Sequence, residues 1–207
     1  VKRLTIGIVD YGVGNIGSLE RSLSMLGYRC KTTADPDTLS GSDLILLPGV
    51  GAFPAAMEEL NRRDMVGFLQ DQAQSGQPLV GICLGMQLMA DRSDEVRPTT
   101  GLGIIPGYVT ALDNANWHIG WNTIEAVSND PLVRPSHGRA VYFNHSFAFQ
   151  TSSEYTIGVS RVDETMAPFV VAVRRENTVG LQFHPEKSQA AGLQLLSDVI
   201  EGLCRAA

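Results

Sequence analysis

The sequence lacks the cysteine pairs, apolar spans and basic runs that would point to whole classes of function. Only three cysteines occur in 207 residues, Cys30, Cys83 and Cys204, far apart and with no C-x-x-C pair. That spacing fits neither a disulfide framework nor a zinc ribbon, and a reducing cytoplasm is its simplest setting. No segment approaches the roughly 18 consecutive apolar residues of a membrane span. Near the start, Lys2 and Arg3 precede only Leu4 to Val9 before Asp10, too short a run for a signal peptide with its cleavage site. Lys and Arg total 16 against 22 Asp and Glu, a net charge of -6. Sequence-independent affinity for nucleic acid comes from neutralising phosphates, and no basic cluster is present to do so. The expectation is a cytoplasmic protein with no membrane and no nucleic-acid partner.

What is present is an ordinary globular balance, 43% hydrophobic and 18% charged. The length suits one core, so a single domain over residues 1–207 is expected. Leu4 to Val9 reads as a buried strand ending in a turn-rich stretch, after which Ile16, Leu19, Leu23 and Leu26 recur at helical spacing up to Gly27. Asp43 to Leu47 and Leu79 to Cys83 read as further strands. Ala52 to Gln74 and Leu84 to Arg92 read as helices. Alternation of this kind predicts a parallel sheet covered by helices on both faces. From Gly101 to Gln182 the runs are β-rich, which predicts a mixed sheet with hairpins. A last helix carries Leu196, Val199, Ile200 and Leu203, with Ser188 placed to cap it.

Three glycine-rich turns compete for the chemistry. Gly12-Val13-Gly14-Asn15-Ile16-Gly17 matches G-x-G-x-x-G between a strand and a helix, with Asp35 and Asp37 about twenty residues on, as a dinucleotide fold requires. Against that reading, Asp10 and Tyr11 put a carboxylate and a ring where a pyrophosphate would meet backbone; the alternative is a tight βα turn. Gly81-Ile82-Cys83-Leu84-Gly85 is the cysteine counterpart of the G-x-S-x-G nucleophile elbow. A thiol there sits at a helix N-terminus, where the dipole favours thiolate, and the Leu84 N–H faces the same space as an oxyanion donor. Taken alone, a buried structural cysteine fits as well, and Cys30 and Cys204 keep that reading.

His184-Pro185-Glu186 tips the balance. Pro185 biases His184 toward extended geometry, and residues two apart in extended chain project to one side. Glu186 can then fix the imidazole tautomer while the other ring nitrogen takes the Cys83 proton. A surface histidine in a proline turn is the alternative for this motif by itself. The elbow and the dyad together point to a cysteine nucleophile.

These motifs resemble the class I (triad) glutamine amidotransferases, in which a cysteine on such an elbow works with the histidine and glutamate of a later H-P-E. GICLGMQ at 81–87, PGVG at 48–51, GLQFHPEKS at 180–188, Gly120-Trp121-Asn122 and Tyr142-Phe143-Asn144-His145-Ser146 look like the glutaminase subunits of imidazole glycerol phosphate synthases. The resemblance covers the chain from Ile8 to the last helix. It implies an open, mixed, mostly parallel flavodoxin-like α/β sheet and hydrolysis of glutamine through a thioester on Cys83. It implies no metal and no organic cofactor. Ammonia would pass to a (βα)8-barrel cyclase subunit, the partner in a heterodimer. Nothing barrel-like follows residue 207, so a separate partner chain is expected.

By the same resemblance, the backbone at Gly49 and Val50 joins Leu84 as the oxyanion hole. Gln87, Glu95 and the His145-Ser146-Phe147 backbone hold the substrate, and Asn15, Trp121 and Lys187 face the partner. Bland readings stand beside these: a solvated helix face for Gln87 and Glu95, a helix cap for Asn15, a core aromatic for Trp121 and a solvated lysine for Lys187. Two departures are visible, Trp117 where the family usually has proline and Phe147 where it has tyrosine. The rival functions are a sister glutaminase serving an anthranilate or pyridoxal phosphate synthase, a dinucleotide-binding oxidoreductase, and a non-catalytic regulatory subunit on the same fold.

Overall fold

A computed structural model of the chain describes residues 3–113, 117–163 and 165–206. In chain order its elements are β1 (Thr5–Val9), α1 (Ile16–Met25), β2 (Arg29–Thr33), α2 (Pro36–Ser40), β3 (Leu44–Leu47), α3 (Phe53–Arg62), α4 (Met65–Gln74), β4 (Leu79–Ile82) and α5 (Leu84–Leu88). They continue with β5 (Arg92–Ser93), β6 (Thr99–Thr100), β7 (Tyr108–Ala111), β8 (His118–Thr123), β9 (Glu125–Ala126), β10 (Ala140–His145), β11 (Phe147–Gln150), β12 (Thr156–Ser160), β13 (Phe169–Arg175), β14 (Thr178–Leu181) and α6 (Gln189–Ala206).

The main sheet runs β2-β1-β3-β4-β14-β13-β11-β7-β5-β6, and β12 adds to β13 and β9. Its first five strands are mutually parallel. Antiparallel pairing begins at β14 with β13, and β8 pairs β10 in a separate two-stranded sheet. Parallel strands buried on both faces need uninterrupted apolar sequence, and Leu44-Ile45-Leu46-Leu47 meets that demand. Leu44 and Leu46 join a core with Leu19 and Leu23 of α1 and Leu195, Leu196, Val199, Ile200 and Leu203 of α6. Ile45 and Leu47 face the opposite core, with Phe53, Ala56, Met57 and Leu60 of α3 and Met65 and Leu69 of α4. Helices therefore cover both sides, as the alternation predicts.

Three local expectations need correction. Ala52 to Gln74 is not one helix, because Asp64 adopts a left-handed conformation (φ 55°, ψ 27°) that splits it into α3 and α4. The helix after the elbow stops at Leu88 instead of Arg92, and all five of its residues are buried. The Ser188 hydroxyl is engaged away from α6: it donates to the His184 carbonyl at 2.6 Å and accepts from the Tyr142 N–H at 2.8 Å.

The tempting first turn is filled by protein. Tyr11 is fully buried in the core that α3 and α4 cover, and its hydroxyl donates to the Pro48 carbonyl at 2.8 Å. Asp35, the acid about twenty residues on, accepts from the Thr38 N–H at 3.0 Å as the cap of α2.

Gly85 carries the tightest packing at the sheet's C-terminal edge. A Cβ there would overlap the Leu47 carbonyl oxygen of β3, and backbone cannot swing aside as a side chain can. Overpacking a core with a flexible neighbour costs about 1–3 kcal/mol, and this neighbour is rigid. Gly85→Ala is therefore expected to lose about 3 kcal/mol or more in urea unfolding. Gly67→Ala, where a Cβ meets nothing within 4 Å, should be neutral or slightly stabilising.

Candidate active site

Cys83 stands between β4 and α5 with φ 55° and ψ −112°, a region that side-chain-bearing residues avoid at a cost of about 1–3 kcal/mol. Two glycines make the turn possible. A Cβ on Gly81 would lie 2.6 Å from the Gly85 carbonyl oxygen, and Gly85 itself abuts Leu47. The Cys83 N–H still bonds the Leu181 carbonyl at 2.7 Å, so the strand ladder holds the backbone to the last residue before the turn. Leu84 is the first residue of α5, and its N–H has no intrahelical acceptor.

His184 reaches the thiol from the end of β14. Its backbone is extended (φ −100°, ψ 93°), as Pro185 dictates, but Pro185–Lys187 forms a 3-10 turn. The imidazole and the carboxylate thus become neighbours through a turn, where the sequence suggested the pleat of a strand. Glu186 Oε1 lies 2.8 Å from His184 Nδ1, with both side chains almost fully buried. That contact leaves Nε2 for the Cys83 thiol, which lines the same cavity and whose sulfur lies 3.9 Å from the Asn144 carbonyl oxygen. Burial alone would pull the His184 pKa down. The hydrogen bonds and charges of Cys83 and Glu186 outweigh it and lift the pKa to about 9. The balance of these effects favours the protonated ring.

Cys83 and His184 open onto a cavity of about 270 Å³ whose wall includes Val50, Leu84, Gln87, Glu95, His145, Ser146 and Phe147. All but one of the residues expected for the oxyanion hole and substrate thus converge on one space. Gly49 is the exception: it packs beneath, where a Cβ would meet the Tyr11 hydroxyl at 2.7 Å and the Gly85 nitrogen at 3.0 Å.

Several of these groups already have partners. The Gln87 amide nitrogen donates to the Phe147 carbonyl (3.0 Å) and to Gln182 Oε1 (2.9 Å), so only its carbonyl oxygen remains to face a ligand. Gln87 is buried at 4% exposure, which removes the solvated-face reading. The Ser146 carbonyl accepts from the Leu112 N–H. Glu95 is half-buried, which raises its pKa, and it accepts from the Phe53 N–H at the start of α3 at 2.8 Å.

One residue of the site and one behind its wall escape sequence reasoning. Gln182 belongs to no catalytic pattern of its own, yet its amide lies 3.8 Å from the Cys83 sulfur. Its position two residues before His184 is the available signal. His118 likewise stands outside every chemical motif; it is buried against His145 at 3.1 Å. Of the residues assigned to a partner surface, Trp121 is 49% exposed and packs edge-on to Tyr142, so it is no core aromatic. Asn15 stands at the N-cap position of α1 without a side-chain capping bond. Lys187 is half-buried beside the dyad.

The family model for the class-I glutamine amidotransferases matches residues 7–201. A curated relative from Lacticaseibacillus casei (strain BL23), "Imidazole glycerol phosphate synthase subunit HisH", is 43% identical over 192 residues, covering 91% of each chain. One of the same description from Listeria innocua is 40% identical over 195 residues, covering 92% of each. Among solved structures, PurLQS from Thermotoga maritima superposes with a TM-score of 0.75 at 16% identity, covering 98% of this chain and 100% of that one. A glutamine amidotransferase from Thermotoga maritima gives 0.70 at 16% identity, covering 99% of each chain. At such identities the structures establish the fold alone, an open mixed sheet of flavodoxin-like type. With a family model spanning nearly its whole length and relatives 40% and 43% identical over nine-tenths of it, the chain belongs to the class-I glutamine amidotransferases.

Proposed function

We propose that this chain is a single-domain glutaminase subunit of an imidazole glycerol phosphate synthase, acting in the cytoplasm on glutamine and delivering ammonia to a (βα)8-barrel cyclase subunit. The observation that carries the chemistry is that His184, paired with Glu186, shares one cavity wall with Cys83. The relatives' shared description carries the choice of synthase.

The Cys83 sulfur, its proton passed to His184, attacks the side-chain amide carbon of glutamine. The oxygen becomes an oxyanion facing the Leu84 N–H, and a second donor comes from the Gly49-Val50-Gly51 loop. His184 gives its proton to the amide nitrogen as the C–N bond breaks and ammonia leaves. Water, deprotonated by the same imidazole, then cleaves the thioester to glutamate and restores the thiol. Glu186 stabilises the imidazolium and fixes its tautomer throughout. Trp121, with the exposed Ile119 two residues before it on β8, forms an apolar docking patch. Asn15 and Lys187 complete the partner-facing set.

Cys83→Ala is expected to lower glutamine-dependent turnover of the complex by about 10⁴-fold or more, while synthesis from added ammonium salts stays intact. Retained glutamine-dependent synthesis would overturn the nucleophile assignment.

His184 must carry a proton for ammonia to leave, and its pKa in the free chain lies near 9, so glutaminase kcat/KM should fall as pH rises through about 9. Glu186→Gln removes an anion and its hydrogen bond, both of which raise that pKa. The alkaline limb should move to lower pH, with residual activity about 100-fold above that of His184→Asn. An unmoved limb would show that Glu186 does not tune the ring.

Trp121→Ala should weaken binding of the barrel subunit by about tenfold or more, because a half-exposed tryptophan is a strong interface anchor. Its thermal midpoint should change little. Unchanged affinity by titration calorimetry would remove Trp121 from the interface.

A further inference from the structure

The strand that presents Trp121 also enters the catalytic cavity wall from behind. Along β8, Ile119, Trp121 and Thr123 are exposed, while His118 is buried and Gly120 and Asn122 are half-buried on the other face. His118 packs on Phe143 (4.6 Å between centroids) and Phe169 (5.1 Å), and its Nδ1 lies 3.1 Å from His145 Nε2. His145 lines the cavity, and its Nδ1 lies 2.8 Å from the Phe147 carbonyl.

The protonation pattern of this pair is forced from both ends. The Phe147 carbonyl can only accept, so His145 Nδ1 carries a proton. At the other end Asn122 is oriented by two backbone groups: its amide nitrogen donates to the Arg161 carbonyl and its oxygen accepts from the Thr123 N–H. The same nitrogen faces His118 Nε2 at 3.4 Å, so that ring atom must accept. One arrangement satisfies every contact. Asn122 donates to His118 Nε2, His118 Nδ1 donates to His145 Nε2, and His145 Nδ1 donates to Phe147, with both rings neutral. Burial lowers both histidines' pKa values, that of His145 to about 4, in keeping with neutral rings. The Phe147 carbonyl also receives Gln87, which holds Gln182, which in turn reaches the Cys83 sulfur.

We propose that Asn122, His118 and His145 form a one-direction hydrogen-bond relay that ties the partner-facing strand to the Phe147 and Gln87 wall of the glutamine cavity, making His118 a positioning residue that transmits docking to the site. The relay rests on the function proposed above, with a glutaminase that the nucleotide-bound barrel subunit stimulates, and adds a route for that stimulation. A displacement of β8 at Trp121 moves His118 and Asn122 with it, since they share one short strand. The aligned relay then repositions the carbonyl that holds Gln87. A chain of neutral, singly protonated rings transmits position because each member has only one satisfied orientation.

The test compares the complete chain and two variants, alone and with the nucleotide-bound barrel subunit, by glutamate release. His118→Phe keeps the aromatic packing and removes both ring nitrogens. It is expected to reduce the stimulation by the barrel about tenfold, while the unstimulated rate, barrel affinity and iodoacetamide alkylation of Cys83 stay within about twofold. His118→Asn, whose amide can stand where Nδ1 donates, should recover most of the stimulation. A merely structural histidine would lower the thermal midpoint of both variants and leave stimulation per folded molecule unchanged, which would overturn the relay. Should His118→Phe fail to fold, Asn122→Ala at the half-buried end of the relay should reduce stimulation in the same sense, and full stimulation there would be equally fatal. A wild-type chain that releases no glutamate even with the barrel would instead overturn the proposed function itself.

Discussion

Cys83 is held at a positive φ because α5 can lie against the ends of β3 and β4, and it can lie there only because residues 81 and 85 have no side chain. The Leu47 carbonyl, the Gly85 backbone and the Gly81 Cα occupy one volume in which no methyl group fits. Everything nearby inherits its place from that packing. The first N–H of α5 is left without an internal acceptor beside the thiol, Leu84 abuts the Gly49 turn, and Gln87, one turn along α5, meets Gln182 on the chain leaving β14. A conformation costing about 1–3 kcal/mol persists because the layers on either side leave no alternative.

The fold and the meeting of Cys83, His184 and Glu186 were legible because each announces itself locally. Strands β1, β3 and β4 are short apolar runs ending in glycine-rich turns, and a parallel sheet follows from their alternation with helices. The elbow needs glycines flanking the nucleophile, and the dyad needs a base and an acid within a turn of each other; both fit in a few residues. What stayed hidden depends on contacts between distant segments. Glu95 meets Phe53 across 42 positions, Gln182 meets Gln87 across 95, and His118 meets His145 across 27. No periodicity encodes such pairs, and a lone buried histidine reads the same whether it fills space or carries a hydrogen bond. The split at Asp64 was illegible for another reason, since an aspartate within an otherwise helical pattern gives little warning of a left-handed residue.

The G-x-G-x-x-G turn shows how a motif can be present and its chemistry absent. Its spacing after β1 and before α1 is right, and an acid follows at the expected distance. The pattern is defined by glycines, however, and the decision lies with the residue just before them. Tyr11 turns into the core and spends its hydroxyl on Pro48, so the residue before the glycines supports the neighbouring turn. Asp35 completes the change of use by capping α2.

That neighbouring turn is where the two halves of the site meet. Residues 48 to 53 join β3 to α3 and are fixed at each end by a side chain from elsewhere: Tyr11 holds the Pro48 carbonyl, and Glu95 holds the Phe53 N–H. Between those posts lie Gly49, packed under Leu84, Val50, which is exposed at 38%, and Gly51 at φ 96°. Any reorientation of this loop is therefore confined to the peptides around Val50, where glycine on either side lowers the barrier to rotation. Glu95 borders the cavity as well, so a ligand ammonium drawing on its free oxygen would act on the same carboxylate that secures the end of the loop. Glu95 and Phe147, the second reached from His118 through His145, thus border one cavity together with Cys83, which the glycines of the elbow hold in place.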